Sequence, residues 1–323
     1  TGHDISGLAR GETLHALRTQ GLRFSSGDQT QCWPMRASDN ATDLGPQDLV
    51  VIALKSQALP NLAPSLTPLI GPDTVVMSAM NGVPWWFFQG FGGTLAGTHL
   101  QAVDPQGRIS QAIPANQVLG CVVHGSSATV APGHVRLKFG QGLILGEPSG
   151  GTTARLSQWV EIFQQAGFAA RASENIQFDT WYKLWGNLTM NPISALTGAS
   201  SDLILGDPLV RNFMSEVMLE AKVIGAKLGL QFDQSPEDRH QVTEKLGAFK
   251  TSMLQDVEAG RAIELDALVS AVKEIGQLTQ IPTPFTDALL GLTRLRFGQM
   301  GLYERIQSTT EKGTRGATAH ISS

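Results

Sequence analysis

Two textures of hydrophobic and polar positions divide the chain. Up to about residue 172, short apolar runs alternate with turns. Residues 5–9 read as a short strand. Residues 11–20 place Leu14 and Leu17 at helical spacing before Gly21 closes the helix. Residues 22–35 alternate poorly and predict short strands or a hairpin. The run DLVVIALKS (48–56) is continuously apolar and rich in β-branched residues, the pattern of a parallel strand buried on both faces. A Pro-punctuated helical stretch (57–70) leads to a second such strand, TVVMSAMNG (74–82). Strand, helix, strand in this rhythm predicts a doubly wound sheet. Residues 95–146 read as strand-rich and helix-poor, 153–166 as an amphipathic helix and 168–172 as a last strand.

From residue 173 to about 297 the period becomes helical, with breaks at Gly206-Asp207-Pro208, Ser235-Pro236 and Ile281-Pro282. Asp207 and Ser235 have the chemistry of N-caps, each followed by proline at the first helical position. The expected architecture is therefore α/β: a Rossmann-like, mostly parallel sheet domain over 1–172, then an all-helical domain over 173–305. Residues 306–323 are rich in Ser, Thr and Gly without periodicity and predict a flexible tail. Before residue 5, a dinucleotide-binding βαβ unit would carry a first strand and a Gly-rich turn; neither is in the sequence, so that fingerprint cannot be used.

Composition narrows the function classes. With 323 residues, 41% hydrophobic and 16% charged, the chain is expected to be globular rather than disordered. A net charge of −4 offers no general basic field for nucleic acid. The apolar runs are strand-sized and no leader pattern opens the chain, so membrane insertion is not expected and the cytoplasm is the expected compartment. Cys32 and Cys121 stand far apart, and seven histidines show no ligand spacing; no disulfide framework and no metal site are expected.

Several polar residues sit where chemistry is expected. Arg10 ends the second strand of the βαβ unit, where a carboxylate would bind the 2′-OH of NAD and an arginine suits the 2′-phosphate of NADP; an ordinary surface arginine is the alternative. Lys55 and Asn81 end adjacent buried strands, and ligands bind at the carboxyl ends of parallel strands. A solvated lysine and a turn asparagine are the competing readings. In WYKLWGNLTMNPISALTG (181–198), Lys183, Asn187 and Asn191 recur every fourth residue. They form a polar stripe that drifts by about 40° per step along an apolar helix. Buried unpaired, they would be costly, so either a ligand or solvent lies beside them. Pro192 predicts a kink or break in this helix. Ser252, in TSMLQD (251–256), offers a hydroxyl for a ligand or an N-cap. Glu264, in AIELD (262–266), offers a carboxylate that could hold an ammonium or simply face water. The run Trp85-Trp86-Phe87-Phe88 predicts core or a cleft wall.

In order along the chain, GHDISGLARGETLHALRTQGL (2–22), VIALKS (51–56), MNGV (80–83), the lysine–asparagine segment, TSMLQD and AIELDAL (262–268) resemble the ketopantoate reductase (2-dehydropantoate 2-reductase) family. The resemblance implies a 6-phosphogluconate-dehydrogenase-like fold, a substrate cleft between the two domains, and NADPH-dependent reduction of ketopantoate to pantoate in pantothenate and coenzyme A synthesis. It implies that Lys183 is the catalytic lysine and that Glu264 lies near it and the nicotinamide ribose. Asn187, Asn191 and Ser252 become substrate residues, and Asn81 is shared by substrate and cofactor. Arg10 and Lys55 fall on the cofactor side, and Ser126, in HGSS (124–127), near a backbone contact to it. The expected partners are NADPH and a small 2-oxo acid, with the chain a monomer or homodimer. Where the family has a further substrate-side asparagine, this chain has Ser200 or Ser201. The aromatic run at 85–88 and the loop at 101–111 also depart from the pattern. Two other readings stay open: a reductase of another small 2-oxo acid, and a non-catalytic homologue without the phosphate-binding turn.

Overall fold

Runs of β-branched and apolar residues become strands, and glycine and proline set the turns between them. The computed structural model describes residues 2–304; the tail expected at 306–323 lies outside the described residues. The sheet half comprises β1 (Ser6–Leu8), α1 (Gly11–Gln20), β2 (Leu22–Ser26), β3 (Gln29–Trp33), β4 (Arg36–Ser38), β5 (Leu49–Ile52), α2 (Leu59–Leu66), β6 (Val75–Ala79), α3 (Arg108–Ala112), β7 (Val118–Ala131), β8 (His134–Gly146), α4 (Ala154–Gln165) and β9 (Ala169–Ser173). Five of the seven strand pairings are parallel; the two antiparallel ones are the β2–β3 and β7–β8 hairpins, so the sheet is mostly parallel as expected. The main sheet runs β3-β2-β8-β7-β6-β5, with β9 added to β8, while β1 and β4 pair with each other.

Both faces of the sheet's centre are covered. On one, Val50, Ile52 and Val76 pack with Leu59 and Ala63 of α2 and Ile109 of α3; on the other, Val75, Met77, Leu119 and Leu145 pack with Leu156 of α4. β5, however, is an edge strand with Val51 47% exposed, so the run 48–56 is not the strand buried on both faces that its apolar pattern predicts. The expectation for 95–146 holds only from Val118 onward. Before that point the chain makes short helical turns. The buried Asp104 carboxylate accepts bonds from the Ile109 and Ser110 amides and organises α3, a side-chain effect that hydrophobic period does not carry.

The helical half comprises α5 (Ile176–Thr197), α6 (Ser201–Gly206), α7 (Pro208–Lys227), α8 (Pro236–Glu244), α9 (Ser252–Glu258), α10 (Ala271–Thr279) and α11 (Pro284–Gln299). Asp207 caps α7 by accepting from the Leu209 and Val210 amides, and Ser235 forms a capping box with Asp238. α5 continues as one helix through Pro192 rather than breaking there. Most of its residues are buried, and that packing outweighs the one backbone hydrogen bond proline removes. The core of this half also takes in Val83, Phe87, Phe88 and Leu100 from the sheet half. Among the described residues no helix is long and apolar enough to cross a membrane.

Two tryptophans fix α5 against α7. Trp181 Nε1 donates to Ala221 O at 3.2 Å and Trp185 Nε1 to Met218 O at 2.7 Å, so each buried ring has its polar atom satisfied. Gly225 makes the first contact possible: a Cβ there would lie 2.5 Å from Trp181 Nε1. Gly225→Ala is expected to destabilise the protein by about 1–3 kcal/mol through overpacking, read by urea unfolding. A midpoint at or above that of the parent would contradict the packing described.

Candidate active site

The carboxyl ends of β5 and β6, the middle of β7 and one flank of α5 meet at the junction of the two halves. Backbone direction places the polar residues there. β5 delivers Lys55 and Ser56, β6 delivers Asn81 and Gly82, and α5 points Lys183 at them from the other side. Lys183 Nζ donates to Asn81 Oδ1 at 2.8 Å and to the Val123 carbonyl at 2.6 Å. Burial pulls the Lys183 pKa down to about 8, while the neighbouring Cys121 and Glu264 act in the opposite direction. An ammonium has three N–H groups, so two oxygen partners leave one for a ligand.

The surroundings of the lysine are largely uncharged. Burial pushes the Cys121 thiol up to about 12, which keeps it protonated. His124 has its pKa lowered, first by burial and then by the Lys183 charge, which keeps its ring neutral. Asn187, half-buried on α5, lines the same pocket as Asn81, Gly82 and Lys183. Asn191 is buried one turn further along the helix.

Glu264, the expected partner of the ammonium, makes no direct bond to it. It is 5% exposed and accepts from the Ser56 amide at 2.8 Å. Burial raises its pKa, and the Ser56 hydrogen bond opposes that. It influences Lys183 through space, and among the described residues Lys183 makes no ion pair. Lys55 is ion-paired with Asp256, Nζ to Oδ2 at 2.5 Å, and Arg261 Nε lies 3.0 Å from the other carboxylate oxygen.

Among the described residues, three expected ones make no hydrogen bond to this cluster. Arg10 is exposed at the start of α1, Ser126 is half-buried on β7 opposite Phe139, and Ser252 is exposed in the first turn of α9. Thr251, not Ser252, caps α9, accepting from the Leu254 amide, so the hydroxyl of Ser252 is left open to solvent. Ser201 is buried and bonded to the backbone of Gly247 and Phe249.

The junction is held by backbone contacts that sequence reasoning missed. Val83 N donates to Ala267 O at 2.8 Å, and Gly82, at φ +80°, passes so close that a Cβ would lie 2.5 Å from that carbonyl. Glu274 accepts from the Gln101 and Ala102 amides. Gly186, between Lys183 and Asn187, has its own reason: the Arg239 guanidinium lies where a Cβ would be and packs over the Tyr182 ring. Of these, Gly82, next to Asn81 at a strand end, is the one whose residue type could have signalled a close backbone approach; the Val123 carbonyl and the Ser56 amide give no signal.

The donor set suits a dinucleotide. Cations at Arg10 and Lys55 follow parallel strands, where phosphates bind, and an amide and a buried carboxylate lie further into the junction. Among the described residues no group of three or more His, Cys, Asp or Glu is placed to hold a metal ion.

Comparison with known proteins agrees with this layout. Residues 1–150 match the family model described as ketopantoate reductase PanE/ApbA, and residues 175–296 match its C-terminal counterpart. The curated 2-dehydropantoate 2-reductase of Mesorhizobium japonicum is 44% identical over 300 residues, covering 93% of this chain and 92% of that protein. The crystal structure of a candidate ketopantoate reductase from Ralstonia solanacearum MolK2 superposes with a TM-score of 0.91 at 55% identity, over 94% of this chain and 92% of that one. A D-mandelate dehydrogenase solved with NADH and anilino(oxo)acetate shares the fold, with a TM-score of 0.76 at 17% identity over 90% and 89% of the two chains.

Proposed function

The chain belongs to the ketopantoate reductase family, and from that premise we propose that it reduces ketopantoate to pantoate with NADPH, with Lys183 as the proton donor. The observation that carries this reading is the position of the lysine: fixed by Asn81 and Val123, with one N–H left over, at the meeting point of sheet and helices. The 44% identical relative bears the name of this activity.

The bound nicotinamide supplies the hydride. The protein's own part is electrostatic and positional. As the carbonyl oxygen of the 2-oxo acid gains negative charge, the remaining N–H of Lys183 faces it, stabilises the charge and gives up the proton to oxygen. Asn81 keeps the ammonium from swinging away. Glu264 favours its charged form from a distance and offers its carboxylate to the nicotinamide ribose. Asn187, Asn191 and Ser252 orient the substrate's carboxylate and hydroxyl by neutral hydrogen bonds. Arg10 takes the 2′-phosphate, and Lys55 and Ser126 hold the rest of the dinucleotide.

A panel of 2-oxo acids, each assayed with NADPH and with NADH at the nicotinamide absorbance, tests the assignment. Ketopantoate with NADPH is expected to give the highest kcat/KM. A better 2-oxo acid would replace the substrate, a preference for NADH would remove Arg10 from its role, and no turnover with any pair would end the reductase reading.

A pH limb follows from the lowered lysine pKa. The reactive form is the ammonium, present below about pH 8 and lost above it. The log of kcat/KM for reduction is expected to fall with a slope approaching −1 as pH rises through about 8. A profile flat from about pH 7 to about pH 10 would take the proton-donor role from Lys183.

A further inference from the structure

Two consecutive residues at the end of β5 are held by the helical half. Ser56 gives its amide to Glu264, and Lys55 gives its ammonium to Asp256, 201 positions along the chain. Asp256 is otherwise unaccounted for. It lies on α9 with its side chain 6% exposed, whereas that of Lys55 is 42% exposed. Its neighbour Gln255 accepts from Lys138 of β8, so α9 meets lysines from two strands of the sheet half.

The arrangement has the wrong economy for a simple structural ion pair. Arg261, from the same half as Asp256, already neutralises it through the other oxygen. Adding Lys55 leaves the three groups with one net positive charge, so the cluster still attracts a phosphate or ribose oxygen. A lysine side chain this open to solvent samples many rotamers, and fixing one in advance lowers the cost of binding. Two of its N–H groups remain after the bond to Asp256.

We propose that Asp256 is a positioning residue: it fixes the Lys55 ammonium for the cofactor and ties that position to the closure of the helical half over β5. This rests on the cofactor reading above. The test compares the parent protein with Asp256→Asn, Asp256→Glu, Lys55→Met and the Asp256→Asn/Lys55→Met double variant. NADPH affinity is read by protein fluorescence, and amide exchange at residues 53–57 is read without cofactor. Asp256→Asn is expected to weaken NADPH binding about tenfold and to speed exchange at 53–57, with Asp256→Glu recovering part of both. In the Lys55→Met background it should add nothing to the loss of affinity. Losses that add in the double variant, or a lowered Tm with unchanged affinity, would overturn the proposal. If Asp256→Asn does not fold, Lys55→Met carries the test, with the same tenfold loss and faster exchange expected and parent-like values overturning it. Should the parent bind neither NADPH nor NADH, the cofactor reading fails; exchange at 53–57 then decides the positional claim, and parent-like exchange in Asp256→Asn overturns it.

Discussion

Lys183→Ala is expected to lower turnover of the 2-oxo acid by a factor of at least ~10², because general acid catalysis and charge stabilisation are removed together. The structure says where the loss should appear. Lys183 is already held by Asn81 and Val123 through hydrogen bonds, and the proposed role gives its third N–H to the oxygen that gains charge in the transition state. The loss should therefore fall on kcat, with KM for the 2-oxo acid changing far less. Arginine should not rescue it, since its planar fork is larger and holds its proton too firmly to deliver it. The fold should survive, because the ammonium is buried at a cost that its removal relieves. Turnover within a few-fold of the parent, in a variant shown to be folded, would remove Lys183 from the chemistry. A loss confined to KM would recast it as a binding residue.

Trp185→Ala should be among the most damaging single substitutions for stability, at about 3–5 kcal/mol. The ring is fully buried, its centroid is 4.7 Å from that of Phe232, and its Nε1 donates to Met218 O. Truncation leaves a large void between α5 and α7 and removes the only polar tie this side chain makes. Trp185→Phe keeps much of the volume and loses the hydrogen bond, so it should cost clearly less. Denaturant unfolding of both variants measures the difference; equal losses would mean that the hydrogen bond, rather than the volume, dominates. This residue lies two positions from Lys183, so the anchor that stabilises α5 also sets the height of the ammonium in the junction.

The parts legible in the sequence were those written in side-chain pattern. The parallel strands within 48–56 and 74–82, the caps at Asp207 and Ser235, and the stripe from Lys183 to Asn187 all express period, cap chemistry or spacing, although the burial expected of the first strand on both faces is lost at the sheet edge. Asn81 and Lys183 could be named singly, yet their contact spans 102 positions and no local pattern carries it. Glu264 was legible as a carboxylate of interest but not as the acceptor of a backbone amide, because every residue except proline has that amide. Asp256 lay within a quoted motif, and only the fold revealed its lysine. The turns before Val118 were missed because a buried aspartate, not an apolar period, organises them. The proline in α5 misled because its local cost is small beside the burial of the whole helix.

The passage of Gly82 against the carbonyl of Ala267 bears on attempts to build hybrids of this protein. Grafting the helical half of a distant homologue onto this sheet, or the reverse, transplants one side of a bare backbone-to-backbone seam that tolerates no added methyl group. Such a hybrid would misplace Asn81, and with it the acceptor for the Lys183 amine, even if both parents were fully active. Crossover designs should therefore inherit residues 81–83 and the turn around 267 from the same parent.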